Sequence, residues 1–86
     1  MNELIGKDIV VRTVTLYHVG RFVEISPDGF LVLDDAAWVA DTGRWSTFLT
    51  TGKANEVEPF PGRCYVSLGA VVDVCEWSHA LLRDVK

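Results

Sequence analysis

The stretch Val19-Gly20-Arg21-Phe22-Val23-Glu24-Ile25-Ser26-Pro27-Asp28-Gly29-Phe30-Leu31-Val32-Leu33-Asp34-Asp35-Ala36 reads as two strands and the turn between them. Pro27 supplies a preset φ at the second turn position, Asp28 bonds back to the backbone, and Gly29 releases the exit. A second block, Tyr65-Val66-Ser67-Leu68-Gly69-Ala70-Val71-Val72, repeats the theme of short apolar runs cut by glycine. Strands of this length, rich in β-branched and aromatic residues and closed by Gly, Pro or Asp, predict an all-β chain folded as a small barrel.

Working outward, residues 9–17 are dense in β-branched side chains and lack helical spacing, so they predict a first strand. His18-Val19-Gly20 is then the expected turn into a strand over 21–25, and residues 30–39 form the third. Residues 40–62 are an insertion broken by Gly43, Gly52, Pro59, Pro61 and Gly62. Two readings of it stand: one helical turn capped by Ser46 and ending near Gly52, or a long bent hairpin with Val57 and Phe60 flanking the returning chain. Trp38, Trp45 and Phe60 are expected to pack it onto the barrel or a neighbour. Residues 64–68 and 71–77 are the last two strands, joined at Gly69-Ala70, and Ser78 is placed to cap a final helical turn over 78–83. The whole of 1–86 is expected to be one domain.

At 86 residues the chain buries only roughly 60–65% of the surface it exposes when unfolded, so self-association is the natural way to cover its sheet edges. A net charge of −4 and scattered Lys and Arg argue against broad binding to phosphate backbones. No apolar run approaches the ~20 residues of a membrane span, and the start lacks a signal-peptide pattern, which predicts a soluble cytoplasmic protein with no membrane partner. Cys64 and Cys75 have neither CxxC spacing nor a nearby histidine, so no metal is expected and both are predicted to be buried thiols. His18 in a turn and His79 near a chain end are predicted to be solvated. No nucleophile, base and orienting group converge, which predicts a non-enzyme without cofactor. Asp34 and Asp35, adjacent on a strand, are expected on opposite faces, one of them solvated and the other bonding turn amides or meeting a basic residue such as Arg12, while Asp73 is assigned to a subunit boundary.

Gly20-Arg21-Phe22 followed by Leu31-Val32-Leu33-Asp34-Asp35-Ala36, and then Gly69 with Val72, resembles the two motifs of the Sm-like family. Its members are five-stranded, strongly bent, SH3-like barrels that assemble into rings and often bind RNA. The motifs span about half the chain. Where RNA-binding members carry Asp, Asn and Arg, this sequence has Ser26, Phe30 and Leu68, so the usual uridine pocket is missing. The reduced N-terminus, the insertion, and Asp34-Asp35-Ala36-Ala37-Trp38 are similar to divergent members encoded by phages of marine bacteria.

The resemblance implies a cyclic homo-oligomer, pentamer to heptamer, joined by Tyr65, Val66 and Ser67 of one copy against Val72 and Val74 of the next, with Trp77 as an anchor. Two functions stay open. One is RNA or single-stranded DNA binding at the pore through Ser26, Asp28, Phe30 and Gly69. The other is a structural or protein-interaction module using Trp38, Trp45 and Phe60. A lone SH3-like adaptor is the third reading, distinguished by remaining monomeric. A flat final hairpin would place Cys64 opposite Cys75 within disulfide reach, whereas the barrel splays those strands apart.

Overall fold

The computed structural model describes residues 1–86, with strands β1 (Asp8–Thr13), β2 (Tyr17–Ile25), β3 (Phe30–Asp41), β4 (Glu56–Pro59), β5 (Cys64–Ser67) and β6 (Val71–Glu76) and one helix, α1 (Trp45–Thr51). Short 3₁₀ turns occupy Asn2–Leu4 and Leu68–Ala70. The strands form one antiparallel sheet in the order β4-β3-β2-β1-β6, and β5 joins it by pairing with β3.

The first turn lies elsewhere than predicted. β1 stops at Thr13, whose backbone N–H donates to the Leu16 carbonyl at 2.9 Å while its Oγ1 accepts from the Leu16 N–H at 3.2 Å. One threonine thus closes the turn over Val14 and Thr15, and His18-Val19-Gly20 belongs to the interior of β2. Gly20 is there for close approach: a Cβ on it would stand 3.0 Å from the Ala36 Cβ. Opposite it, Asp35 adopts φ 49°, the register of β2 and β3 slips, and the side-chain alternation of β3 changes phase.

That slip bends β3 so that one edge serves two partners. Residues Phe30 to Leu33 pair with β5, and residues Ala37 to Asp41 pair with β4. It also brings Asp34 and Asp35 to the same guanidinium, against the expectation of opposite faces. Arg21 lies 3.1 Å from Asp35 and 3.9 Å from Asp34. Arg63 holds Asp34 through two N–H donors at 2.8 and 3.1 Å, and Arg83 reaches Asp35 at 3.3 Å.

Two cores lie on opposite faces of the sheet. Ile9, Val11, Phe22, Leu31, Leu33, Ala36, Cys64 and Val66 fill the barrel interior. Val10, which points the other way from Ile9 and Val11, joins Val19, Ala37, Val39, Phe48, Ala54, Val57 and Trp77 on the outer face. Both readings of the insertion are therefore realised together: α1 lays Phe48 on the outer face, and β4 returns along β3 with Val57 beneath it. The helix ends at Gly52 in the left-handed region, φ 75°, with its N–H on the Phe48 carbonyl. Ser46 lies inside the helix, and Arg44 precedes it without a side-chain cap.

No helix forms over 78–83. The Trp77 indole N–H donates to the Ala80 carbonyl at 3.0 Å, and His79 Nε2 lies 2.7 Å from the Leu49 carbonyl. These contacts draw the tail in extended form across α1, and it finishes beside β4, where Lys86 and Val57 exchange both backbone hydrogen bonds at 2.8 and 2.9 Å.

Candidate functional site

Two turns meet at one end of the barrel. In the first, Gly29 N–H donates to the Ser26 carbonyl at 3.0 Å and Ser26 N–H to the Phe30 carbonyl at 2.7 Å, with Gly29 at φ 92°. The second is the 3₁₀ turn Leu68–Ala70, whose Leu68 N–H donates to the Gly29 carbonyl at 3.0 Å. Ser26, Asp28, Phe30 and Gly69, separated by up to half the chain, are brought together by that bond and by the Phe30–Ser67 register. The Ser26 hydroxyl is already engaged: it donates to Asp28 Oδ1 and accepts from the Phe30 N–H at 3.0 Å. What remains at this end is an aromatic pair, with the half-buried Phe30 meeting Tyr65 edge-on at 6.5 Å and Tyr65 59% exposed.

The sheet borders differ in how they end. β5 pairs only with β3 and β6 only with β1, so each leaves its second backbone edge open. Side chains assigned to subunit contact divide accordingly. Tyr65, Ser67 and Val72 project outward, Val72 at 52% exposure, and Val74 is half-buried against the barrel core. Val66 is in that core, so at such a border it offers only its backbone. Trp77 is no surface anchor: it is 5% exposed, packed on Phe48 at 4.9 Å. Cys64 and Cys75 are free thiols on strands that do not pair with each other, and Cys75 is exposed rather than buried. Desolvation raises both thiol pKa values, with Asp73 adding to the effect at Cys75, so thiolate is scarce.

Ionisable groups form structural pairs. Asp73, which the sequence assigns to a subunit boundary, receives the Arg12 guanidinium in a bidentate bond across β1 and β6. Hydrogen bonds from Arg12 and Arg63 hold the carboxyls of Asp73 and Asp34, respectively, below the usual range. His18 is not a solvated turn residue. It sits in β2 beside Trp38 and stacks on Phe60 at 6.2 Å, its Nδ1 is buried without a partner, and burial lowers its pKa. His79 is likewise half-buried, edge-on to Trp77 at 5.0 Å. No group of three or more His, Cys, Asp or Glu side chains is arranged to hold a metal ion.

Of the insertion aromatics, Trp45, 37% exposed, stacks on Tyr17 at 5.0 Å and packs on Phe48, on the outer face. Trp38 and Phe60 remain 41% and 36% exposed on the other face, next to His18. Their grouping was unreadable in sequence, because it depends on the phase change at Asp35.

No protein-family model matches the chain, and no curated protein matches it. Among solved structures, an Sm protein of Pyrococcus abyssii in complex with a uridine heptamer is similar over 87% of this chain and 89% of that one, with a TM-score of 0.61 at 16% sequence identity. The fold is therefore Sm-like, a small, strongly bent all-β barrel, elaborated by α1 and β4.

Proposed function

We propose that this chain is a non-catalytic ring subunit whose copies join through the open edges of β5 and β6, and whose assembly binds single-stranded RNA at the end where the two turns meet. One observation carries the assembly: the chain seals the outer edge of β4 with its own tail yet leaves β5 and β6 each with one unpaired edge. Pairing the β5 of one copy with the β6 of the next satisfies both sets of backbone groups. Such a head-to-tail contact ends growth when the rotation closes, at about five to seven copies as the motif resemblance implies.

Support for RNA comes from the uridine heptamer carried by the similar Sm protein and from the Phe30 and Tyr65 rings beside Gly69. With Ser26 occupied by Asp28 and the Phe30 amide, recognition rests on stacking, which tolerates any base and contributes roughly 1–3 kcal/mol per base. Residues 26–30 and 64–70 hold no Lys or Arg, so the salt dependence is shallow. Fluorescence anisotropy with labelled oligouridine and oligoadenine at low salt tests the reading. Both bind with similar affinity, and Phe30→Ala weakens each about five- to hundredfold. Absence of any anisotropy change at low salt overturns it.

A further inference from the structure

We infer that the uncovered face of the β3–β4 hairpin is a docking surface for an arginine-bearing, basic segment of another protein, independent of RNA binding at the turns. The sheet is asymmetric beyond the bend at Asp35. Its outer face is covered by Phe48, Trp77 and the tail, whereas the opposite face carries Trp38 and Phe60, 41% and 36% exposed, with Leu82 and Arg83 of the tail reaching only the Phe60 end. These residues are contiguous: Phe60 stacks on His18, His18 stands opposite Trp38 on β2 and β3, and Trp38 stands opposite Glu58 on β3 and β4.

The charge on this face identifies the occupant. Glu56 and Glu58 alternate with the buried Val57 along β4, so they share the face of Trp38, and neither forms an ion pair within the chain. Residues 37–41 and 56–60 contain no Lys or Arg, and the basic residues nearer the barrel, Arg21, Arg63 and Arg83, are held by Asp34 or Asp35. Unpaired carboxylates repel phosphates, which removes nucleic acid as the ligand here. An exposed indole beside a free carboxylate suits a guanidinium: its plane stacks on the ring, and its N–H fork pairs with Glu58. A lysine ammonium satisfies the charge but loses the planar stacking and the fork.

The test uses the full chain and three labelled octapeptides in which glycine alternates with arginine, lysine or glutamate. The arginine peptide binds, the lysine peptide binds several-fold more weakly, and the glutamate peptide does not bind. Trp38→Ala and Glu58→Gln each weaken the arginine peptide about five- to thirtyfold, while oligouridine affinity stays unchanged. Phe30→Ala, which weakens oligouridine binding, leaves peptide binding intact, which separates this surface from the turns. The proposal fails if the arginine peptide does not bind at low salt, or if binding is indifferent to Trp38 and Glu58. Trp38-dependent stacking of one assembly on another, seen by sedimentation, also overturns it by making a second copy the occupant.

Discussion

The β4 border and the β5 and β6 borders expose the same backbone chemistry, and the chain treats them in opposite ways. At β4, Lys86 lies against Val57 and exchanges both hydrogen bonds, held there by a tail anchored through Trp77 and His79. At β5 and β6 nothing from the same chain reaches the free edge. An unpaired edge is an aggregation hazard that folded chains cover, charge or use. One border is sealed and two stay open, and the proposed ring joins its copies through those two. The contrast originates in one bend, at Gly20 and Asp35, which turns the edge of β3 from one partner strand to the other.

The seal depends on the outer core, and Phe48→Ala is the strongest way to break it. Phe48 is fully buried between Trp45 and Trp77, so truncation costs about 3–5 kcal/mol in urea unfolding, and the Val57 amide exchanges with solvent far faster. A cost below about 1 kcal/mol shows instead that the insertion is appended to the barrel and seals nothing. Gly20→Val tests the bend. Its side chain starts 3.0 Å from the Ala36 Cβ and meets backbone at 3.1 and 3.2 Å, so it destabilises by about 1–3 kcal/mol and shifts the β2–β3 register, readable as altered amide chemical shifts at Asp34 and Asp35. An unchanged spectrum and melt place the cause of the bend elsewhere.

A smaller effect comes from His18, on the uncovered face. Its folded pKa lies below the ordinary value of 6.5 because burial disfavours the imidazolium. The unfolded chain then binds the proton first, so stability is complete above about pH 6.5 and declines as pH falls toward the folded value. Asp34 and Asp73, also lowered, lose their contributions only as pH falls below the carboxylate range near 3.8, which keeps the two windows apart. His18→Phe preserves stacking on Phe60 and flattens the melting temperature between pH 7 and 5. A slope identical to that of the parent assigns the titration to another group.

Local chemistry was legible in the sequence; long-range packing was not. The Ser26–Gly29 turn and the helix end at Gly52 follow from turn residues that act over a few positions. The turn after Thr13 carried no such mark, because Val14, Thr15 and Leu16 read as strand and Thr13 alone, through its backbone N–H and its hydroxyl, closes it. Gly20 misled for a related reason: it makes room for Ala36 rather than turning the chain. Asp35 defeated the alternation rule through its positive φ, and with it the grouping of Trp38 and Phe60. Trp77 was read as an interface residue because its cover, α1 and the tail, is fixed by contacts remote in sequence.

Light scattering of the purified chain at micromolar concentration, beside Val72→Lys, probes the borders most directly. Val72 is half-exposed on β6, so lysine there leaves the fold intact and places a charge where the next copy's β5 must pair. A parent mass about five to seven times that of one chain, falling to the single-chain mass in Val72→Lys with an unchanged circular dichroism spectrum, is the expected result. A monomeric parent would mean that β5 and β6 tolerate open edges, and the ring would have to be abandoned.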